Sequence, residues 1–403
     1  MYLSTIPRPR ALGWKGLSGN VFALGAVSLV TDVSSEMVTA VLPLYLVVGL
    51  QLSPAAYGVI DGLHTGATTL LRLVGGYLAD RTDRRKAVAA LGYGMSAVAK
   101  LGLLPAGTST AALGAVITLD RAGKGLRTAP RDALITLSTP AGDLGRAFGA
   151  HRAMDGVGAF LGPLVALAVL AATGGSFDSV FVTSACVAAL GVLVLVLFVR
   201  DHRSALPARP VRVSAVGGLW RDAGVRRVVL AATLLGLATV GDGFVYLLLQ
   251  EREGLAIGWF PLLAVGTSLV YLLLAAPLGA LADRVGRLPV VLGGYAALAA
   301  VYLLVAGPLG GWSLVVVVVA LYGVFYAATD GVLMALAGPL LPERLRTTGI
   351  AVIQSGQALG YLGSSVLFGL AWQAWGPGAA TRLAAAGAVL ALVATFALVR
   401  GRS

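Results

Sequence analysis

Ionisable side chains lie inside stretches of this chain that are otherwise apolar, and two of them, Asp32 and Glu36, stand four residues apart. On a helix that spacing puts both carboxylates on one face, with Ser35 beside them and Thr39 one turn further on. Two like charges so close do not both ionise cheaply, and burial adds to the penalty, so one of the pair is expected to hold a proton. An acid that releases and regains a proton on demand is the chemistry of coupling. The competing reading is that Asp32 pairs with a basic group elsewhere and only orders the fold.

Further along, Asp120, Lys124, Arg127 and Arg131 fall at i, i+4, i+7 and i+11, a single helical stripe, with Arg121 beside it and Gly123 and Gly125 permitting close helix approach. Arg121 and Lys124, at mid-depth, can neutralise Asp32 or Glu36, relay their protonation, or clamp an anionic substrate. Arg127 to Asp132 reach the surface and read as structural. His151 and Asp155 share a face and make either a proton relay or a structural hydrogen bond. Asp61 and His64 read as structural, because Asp61 lies near one end of its span, and Lys100 reads as interfacial or paired.

The second half is poorer in charge. Asp242 and Asp330 are each followed by glycine, which suggests unwinding or close helix contact next to an acid. Gln354 and Gln357 are further polar candidates, and Tyr246 and Tyr326 are the aromatics nearest these acids. Proton handling is therefore expected in the first half, with shape and aromatic surface supplied by the second.

The elements that must position these groups follow from composition. The 403 residues are 58% hydrophobic and 12% charged, with a mean hydropathy of +0.87; soluble domains carry about 25% charged residues. Stretches of ~20 apolar residues recur, each enough to cross a bilayer as a helix. Twelve spans are expected, roughly at 18–48, 55–79, 87–106, 110–138, 147–172, 178–199, 228–250, 257–281, 290–308, 312–338, 349–372 and 377–399. An ionisable group at the centre of such a span costs ~2.5–3.5 kcal/mol on insertion scales, so each one implies a partner, a wet cavity or a task.

The net charge of +12 is segregated. Arg8, Arg10, Lys15, Arg81, Arg84, Arg85, Lys86, Arg284, Arg287, Arg344, Arg346, Arg400 and Arg402 fall in alternate loops, whereas 49–54, 106–110, 307–311 and 373–378 carry no Lys or Arg. By the positive-inside rule both termini are cytoplasmic and the number of spans is even. The charge touches lipid headgroups, and its pattern excludes a nucleic-acid surface. The first apolar stretch is too long for a cleavable signal peptide and has no A-x-A-like cleavage site after it, so it is expected to stay in the membrane. Cys186 is the sole cysteine, so neither an internal disulfide nor a cysteine metal cluster is expected. The Pro-rich, basic segment 200–227 reads as a cytoplasmic linker, giving a first bundle at 1–199 and a second at 228–403.

Gly76-Tyr-Leu-Ala-Asp80-Arg81-Thr-Asp-Arg84 recurs half a chain later as Gly279-Ala-Leu-Ala-Asp283-Arg284-Val-Gly-Arg287. Duplicated membrane halves point to an interface that can rock. Asp80 and Asp283, at helix ends, can latch onto a neighbouring helix N-terminus or an arginine; Arg81, Arg84, Arg284 and Arg287 complete the latch or anchor to headgroups.

These motifs resemble the major facilitator superfamily. The resemblance extends to Asp120-Arg121-Ala-Gly-Lys124-Gly125, similar to its R-x-x-x-G motif, and to Gly158-Ala-Phe-Leu-Gly162-Pro163, similar to its G-x-x-x-G-P antiporter motif, although Val165-Ala166 replace the usual glycine pair. The run Asp120 to Ile135, D-R-x-G-K-G-x-R-T-A-P-R-D-A-L-I, resembles a bacterial subgroup variously labelled drug exporters or nickel-resistance permeases. The resemblance implies an all-α membrane protein of twelve transmembrane helices in two pseudo-symmetric six-helix bundles. It also implies a cytoplasmic-membrane location, a monomer, protons and a small molecule or ion as partners, no cofactor, and a gate at Asp80 and Asp283 closed in the outward-facing state.

Among function classes, an intramembrane enzyme lacks support: there is no G-x-S-x-G or H-E-x-x-H, and three His in all. No re-entrant filter signals a channel. Proton-driven efflux of a small organic compound is the leading expectation, divalent metal efflux the second, and import of an anion held by Arg121 and Lys124 the third.

Overall fold

The computed structural model describes residues 17–82, 84–140, 143–201, 222–330 and 346–400, and among these every regular element is helical. The linker residues 202–221, the basic positions Arg8, Arg10, Lys15, Arg344 and Arg402, and the side chains of Asp80, Arg81, Arg346 and Arg400 lie outside the described residues.

In the first part, α1 (Gly19–Leu44) runs into a π-helical turn, Tyr45–Gly49. It is followed by α2 (Pro54–Thr82), α3 (Arg85–Gly102), α4 (Thr110–Leu137), α5 (Leu144–Ala172) and α6 (Phe177–Phe198). The starts are chemically marked. Pro54 opens α2, where its missing N–H costs nothing; Ser109 and Ser176 cap α4 and α6 by accepting the Ala112 and Ser179 amides. In the second part, α7 (Ala223–Leu237) is capped by Asp222, and α8 (Asp242–Glu253) stops at Gly254 in the left-handed region, φ 61°. Then come α9 (Phe260–Val285), α10 (Arg287–Ala306), α11 (Gly311–Thr329) and α12 (Arg346–Arg400), the last broken at Gly376, φ 79°, just before Pro377.

Eight stretches among the described residues are long and apolar enough to cross a membrane, including Gly349–Leu398, which contains the Gly376 break. The expected spans at 55–79, 87–106 and 110–138 are helices as well, α2, α3 and α4, less apolar than those eight stretches. The span expected at 228–250 is two helices, with 238–241 unwound between α7 and α8. Non-helical backbone is tolerated at membrane depth only where its polar groups find partners. Here two tyrosines from neighbouring helices supply them. The Val240 amide donates to the Tyr302 hydroxyl (2.8 Å), which donates on to Ala238 O (3.2 Å), and the Tyr322 hydroxyl donates to Val240 O (2.7 Å).

Contacts sort the helix ends into two groups. At one, here the proximal end, Asn20 reaches Ser138 and the Arg200 backbone, and Lys86 reaches Val196 O. At the other, the distal end, Arg252 binds Gly307 O and Leu309 O, and Glu253 accepts from the Gly311 amide. The two parts of the chain meet at the distal end. Gly58 lies so close to the Ser365 carbonyl that a Cβ there would collide, and Gly62 would place one 3.1 Å from Leu362 O, so α2 and α12 touch backbone to backbone. Beside them Tyr57 packs edge-on against Phe244 (4.6 Å between centroids), which packs on Phe368 (4.9 Å) and Trp372 (5.9 Å). Nearer mid-chain, Gly156 of α5 faces Leu272 of α9.

Candidate functional site

α1 and α4 bring the first set of expected residues together. Lys124 Nζ lies 3.9 Å from Asp32 Oδ1 and 3.7 Å from Glu36 Oε1, while Arg127 Nη2 lies 3.5 Å from Asp32 Oδ1. These are long ion pairs, and the Lys124 and Glu36 side chains keep 29% and 27% of their exposure. Arg127 is fixed from the other side by the Tyr93 ring, 4.3 Å beneath its guanidinium. That placement depends on α3 and α4 approaching at Gly92 and Gly123, the close contact anticipated for Gly123.

One turn toward the proximal end, Ser28 binds Asp155, and Arg131 Nη1 donates to Ser28 Oγ at 3.1 Å and lies 4.0 Å from Asp155 Oδ1. Asp155 is thus held by α1 and α4. The shared face of His151 and Asp155 does not become a bond: His151 is buried, and neither ring nitrogen has a hydrogen-bond partner among the described residues.

Arg121 does not join Asp32. Its guanidinium folds onto its neighbour Asp120, with Nε 2.8 Å from Oδ2, while Lys100 Nζ reaches Asp120 Oδ1 at 3.0 Å and Ser96 binds the same oxygen. The side chains of Lys100 and Arg121 are 3% and 5% exposed. His64 of α2 faces this group, and a small void lined by Val38, His64, Lys100 and Asp120 adjoins it.

A third set lies between the two parts of the chain. Asp61 Oδ2 accepts hydrogen bonds from Ser365 Oγ (2.6 Å) and the Tyr361 hydroxyl (3.1 Å), and it presses on Gly241, where a Cβ would fall 2.7 Å away. The next residue, Asp242, begins α8 and accepts the Gly243 amide at 2.8 Å. Asp61 and Glu36 both lie within electrostatic reach of it.

The remaining candidates are dispersed. Tyr246 is buried and donates to Thr267 Oγ1 at 2.8 Å; Tyr326 packs on Tyr322, 5.2 Å between centroids. Asp330 is exposed beyond α11 and accepts the Tyr271 hydroxyl at 2.7 Å. Gln354 and Gln357 are partly buried on α12, the latter with its backbone against Gly236. Of the expected gate residues, Arg84 and Arg284 are exposed, and Asp283, 74% exposed, has Arg287 at 3.9 Å.

The partners of Asp61 and the Lys100–Asp120 pair are what the sequence reading missed. A signal for the first was present: Gly58, Gly62 and Gly66 form a small-xxx-small stripe beside Asp61, which marks a helix interface. Among the described residues no group of three or more His, Cys, Asp or Glu is placed to hold a metal ion.

Comparison with known proteins agrees with this architecture. The sequence profile of the Major Facilitator Superfamily matches residues 24–265 and 253–403. The chain belongs to the Major Facilitator Superfamily. It is 34% identical over 286 residues to an uncharacterized MFS-type transporter of Methanocaldococcus jannaschii, covering 69% of this chain and 70% of that one. An uncharacterized protein of Mycobacterium tuberculosis is 34% identical over 188 residues, covering 47% of this chain and 42% of the relative. Among solved structures, a variant of the nucleoside transporter NupG superposes with a TM-score of 0.81 at 15% identity, covering 94% of this chain and 99% of that one. A POT family transporter in complex with 5-aminolevulinic acid gives 0.79 at 15% identity, covering 96% and 97%. At those identities the likeness establishes the fold. The chain is a multi-pass membrane transporter, with a transport role rather than an enzymatic one.

Proposed function

We propose that the protein exports a small organic compound in exchange for protons, by alternating access between two six-helix bundles, 1–199 and 228–403, joined by a cytoplasmic linker. In this reading twelve helices span the bacterial cytoplasmic membrane, the proximal end is cytoplasmic, as the segregated arginines suggest, and the protein acts as a monomer.

The observation that carries the reading is the loose network of Asp32, Glu36, Lys124 and Arg127. Its separations of 3.5–3.9 Å, and the partial exposure of Lys124 and Glu36, contrast with the 2.8–3.0 Å contacts around Asp120. An ion pair that is long and wet exchanges partners readily; a short and dry one is strongly destabilised by losing a partner. Protonation of Asp32 or Glu36 frees Lys124, and cargo competes with the proton for the same side chains. With the distal end sealed and Asp283 exposed, the arrangement fits a state open toward the cytoplasm, in which the Asp80 and Asp283 latches are released.

The test is transport into inside-out vesicles under an imposed pH gradient, with ethidium, Ni²⁺ and benzoate as separate probes. Gradient-driven uptake of ethidium, lost in both Asp32→Asn and Glu36→Gln, is expected. Transport that survives both substitutions excludes this coupling site; movement of Ni²⁺ alone, or of benzoate in the opposite direction, excludes this cargo class.

A further inference from the structure

Two hydrogen bonds pass from the first part of the chain to the second and end on one oxygen, Oδ2 of Asp61, one from Ser365 and one from Tyr361. Asp61 stands two turns from the distal end of α2, within the seam where Gly58 and Gly62 bring α2 against α12. The titratable and charged groups facing this point come from four helices. They are Tyr57 on α2 itself, Asp242 on α8, Tyr326 on α11 and Tyr361 on α12, with Glu36 of α1 within reach of Asp242. All are acids or phenols. Of the cations of α4, Arg121 rests on Asp120, while Lys124 lies 3.7 Å from Glu36 Oε1 and faces His64, one turn along α2; neither is paired with Asp61 itself.

Asp61 is half-buried between the two parts with no cation paired to it among the described residues, which disfavours its ionised form, and two carboxylates close together do not both ionise cheaply. Separation of the two parts would instead open Asp61 to water, where the ionised form is well solvated. The sealed state therefore binds the proton more tightly than the open state. By linkage, a state that binds a proton more tightly is favoured as the pH falls.

We propose that Asp61 is a proton-binding residue of the distal seal. The two parts close at this end with the Asp61 carboxyl neutral, its Oδ2 accepting from Ser365 and Tyr361 and its other oxygen carrying the proton. As they part, that proton passes to water. The proposal rests on the alternating-access reading above and adds to it a second proton site, at the opposite end of the molecule from the Asp283 latch.

The experiment uses the full chain in lipid nanodiscs with Cys186→Ala. Spin labels are attached at Ser53→Cys and Trp375→Cys, exposed distal positions just before α2 and beside the Gly376 break in α12. Distance distributions are recorded between pH 5 and pH 9 without any cargo. The short, sealed distance is expected to gain on the long one as pH falls, by about fivefold per pH unit near the midpoint, below the tenfold ceiling for one proton. Asp61→Asn is expected to remain sealed at every pH, and Asp61→Glu to keep the response with a displaced midpoint. Tyr361→Phe combined with Ser365→Ala retains the acid and is expected to lower the sealed fraction while keeping the pH response.

An Asp61→Asn protein whose distances still titrate, or a parent that opens as pH falls, overturns the proposal. If the amide variant does not fold, an unmoved midpoint in Asp61→Glu overturns it equally. Because no cargo is present, failure here leaves Asp32 and Glu36 to be judged by the vesicle assay, and failure there leaves Asp61 to be judged by these distances.

Discussion

Asp120 and Asp61 are both carboxylates on membrane-embedded helices, yet they are held by opposite means. Asp120 is surrounded by Lys100, Arg121 and Ser96, all from α3 and α4, and its partners are almost entirely buried. Asp61 is met by two hydroxyls from α12, some 300 residues away in the chain. The first arrangement is a closed electrostatic unit inside one part of the molecule, able to move with it as a rigid body. The second exists only while the two parts touch. Between these extremes sits Asp32, paired with cations that are close enough to attract it and too far to immobilise it.

The sharpest way to break the comparison is to neutralise the rigid unit. Asp120→Asn leaves Lys100 and Arg121 buried without an anion and is expected to destabilise the protein by about 3–5 kcal/mol, the range for removing one partner of a buried pair. Chemical denaturation in detergent measures it, and adding Lys100→Met should recover part of the loss. A stability equal to the parent's would show that Asp120 is no anchor.

A smaller loss is expected where tyrosines hold the unwound segment. Tyr302→Phe strands the Val240 amide and Ala238 carbonyl, and Tyr322→Phe strands the Val240 carbonyl. About 1–3 kcal/mol is expected for each polar group left without a partner. Unfolding midpoints of the two variants, with the double variant lower than either, would check this.

Lys124→Gln should separate function from stability. The wet, long pairs it breaks predict a stability change within about 1 kcal/mol, while gradient-driven transport falls at least about tenfold. If Lys124→Gln destabilises as strongly as Asp120→Asn, the two clusters do not differ in kind. Least of all is expected from Arg287→Gln: its exposed partner Asp283 limits the effect to within about 0.5 kcal/mol, so any phenotype should appear in transport rate alone.

Apolar runs and their basic boundaries placed the helices, since length and hydropathy are local properties of the chain. The Asp32, Glu36 and Lys124 grouping was also legible, because a carboxylate pair on one face and a cationic stripe four spans in leave few other ways to neutralise charge. What was not legible depended on register between distant helices. Lys100 finds Asp120 only because α3 and α4 close at Gly92 and Gly123, and Arg121 then turns to Asp120 instead of Asp32. Asp155 shares a face with His151 but is claimed by Ser28 and Arg131 from other helices. Sequence spacing states which groups can meet along one helix; it does not state which neighbour outbids them.

The gap between α7 and α8 carries one further consequence. A continuous helix that bends must stretch its own ladder, whereas here the Ala238 carbonyl and both backbone groups of Val240 have already passed to Tyr302 and Tyr322. Those hydroxyls rotate, so α8 can swing with the wall it builds while α7 keeps its place, and no peptide group need be bared to hydrocarbon. The joint works like an elbow with its own sheath, already assembled before any movement begins.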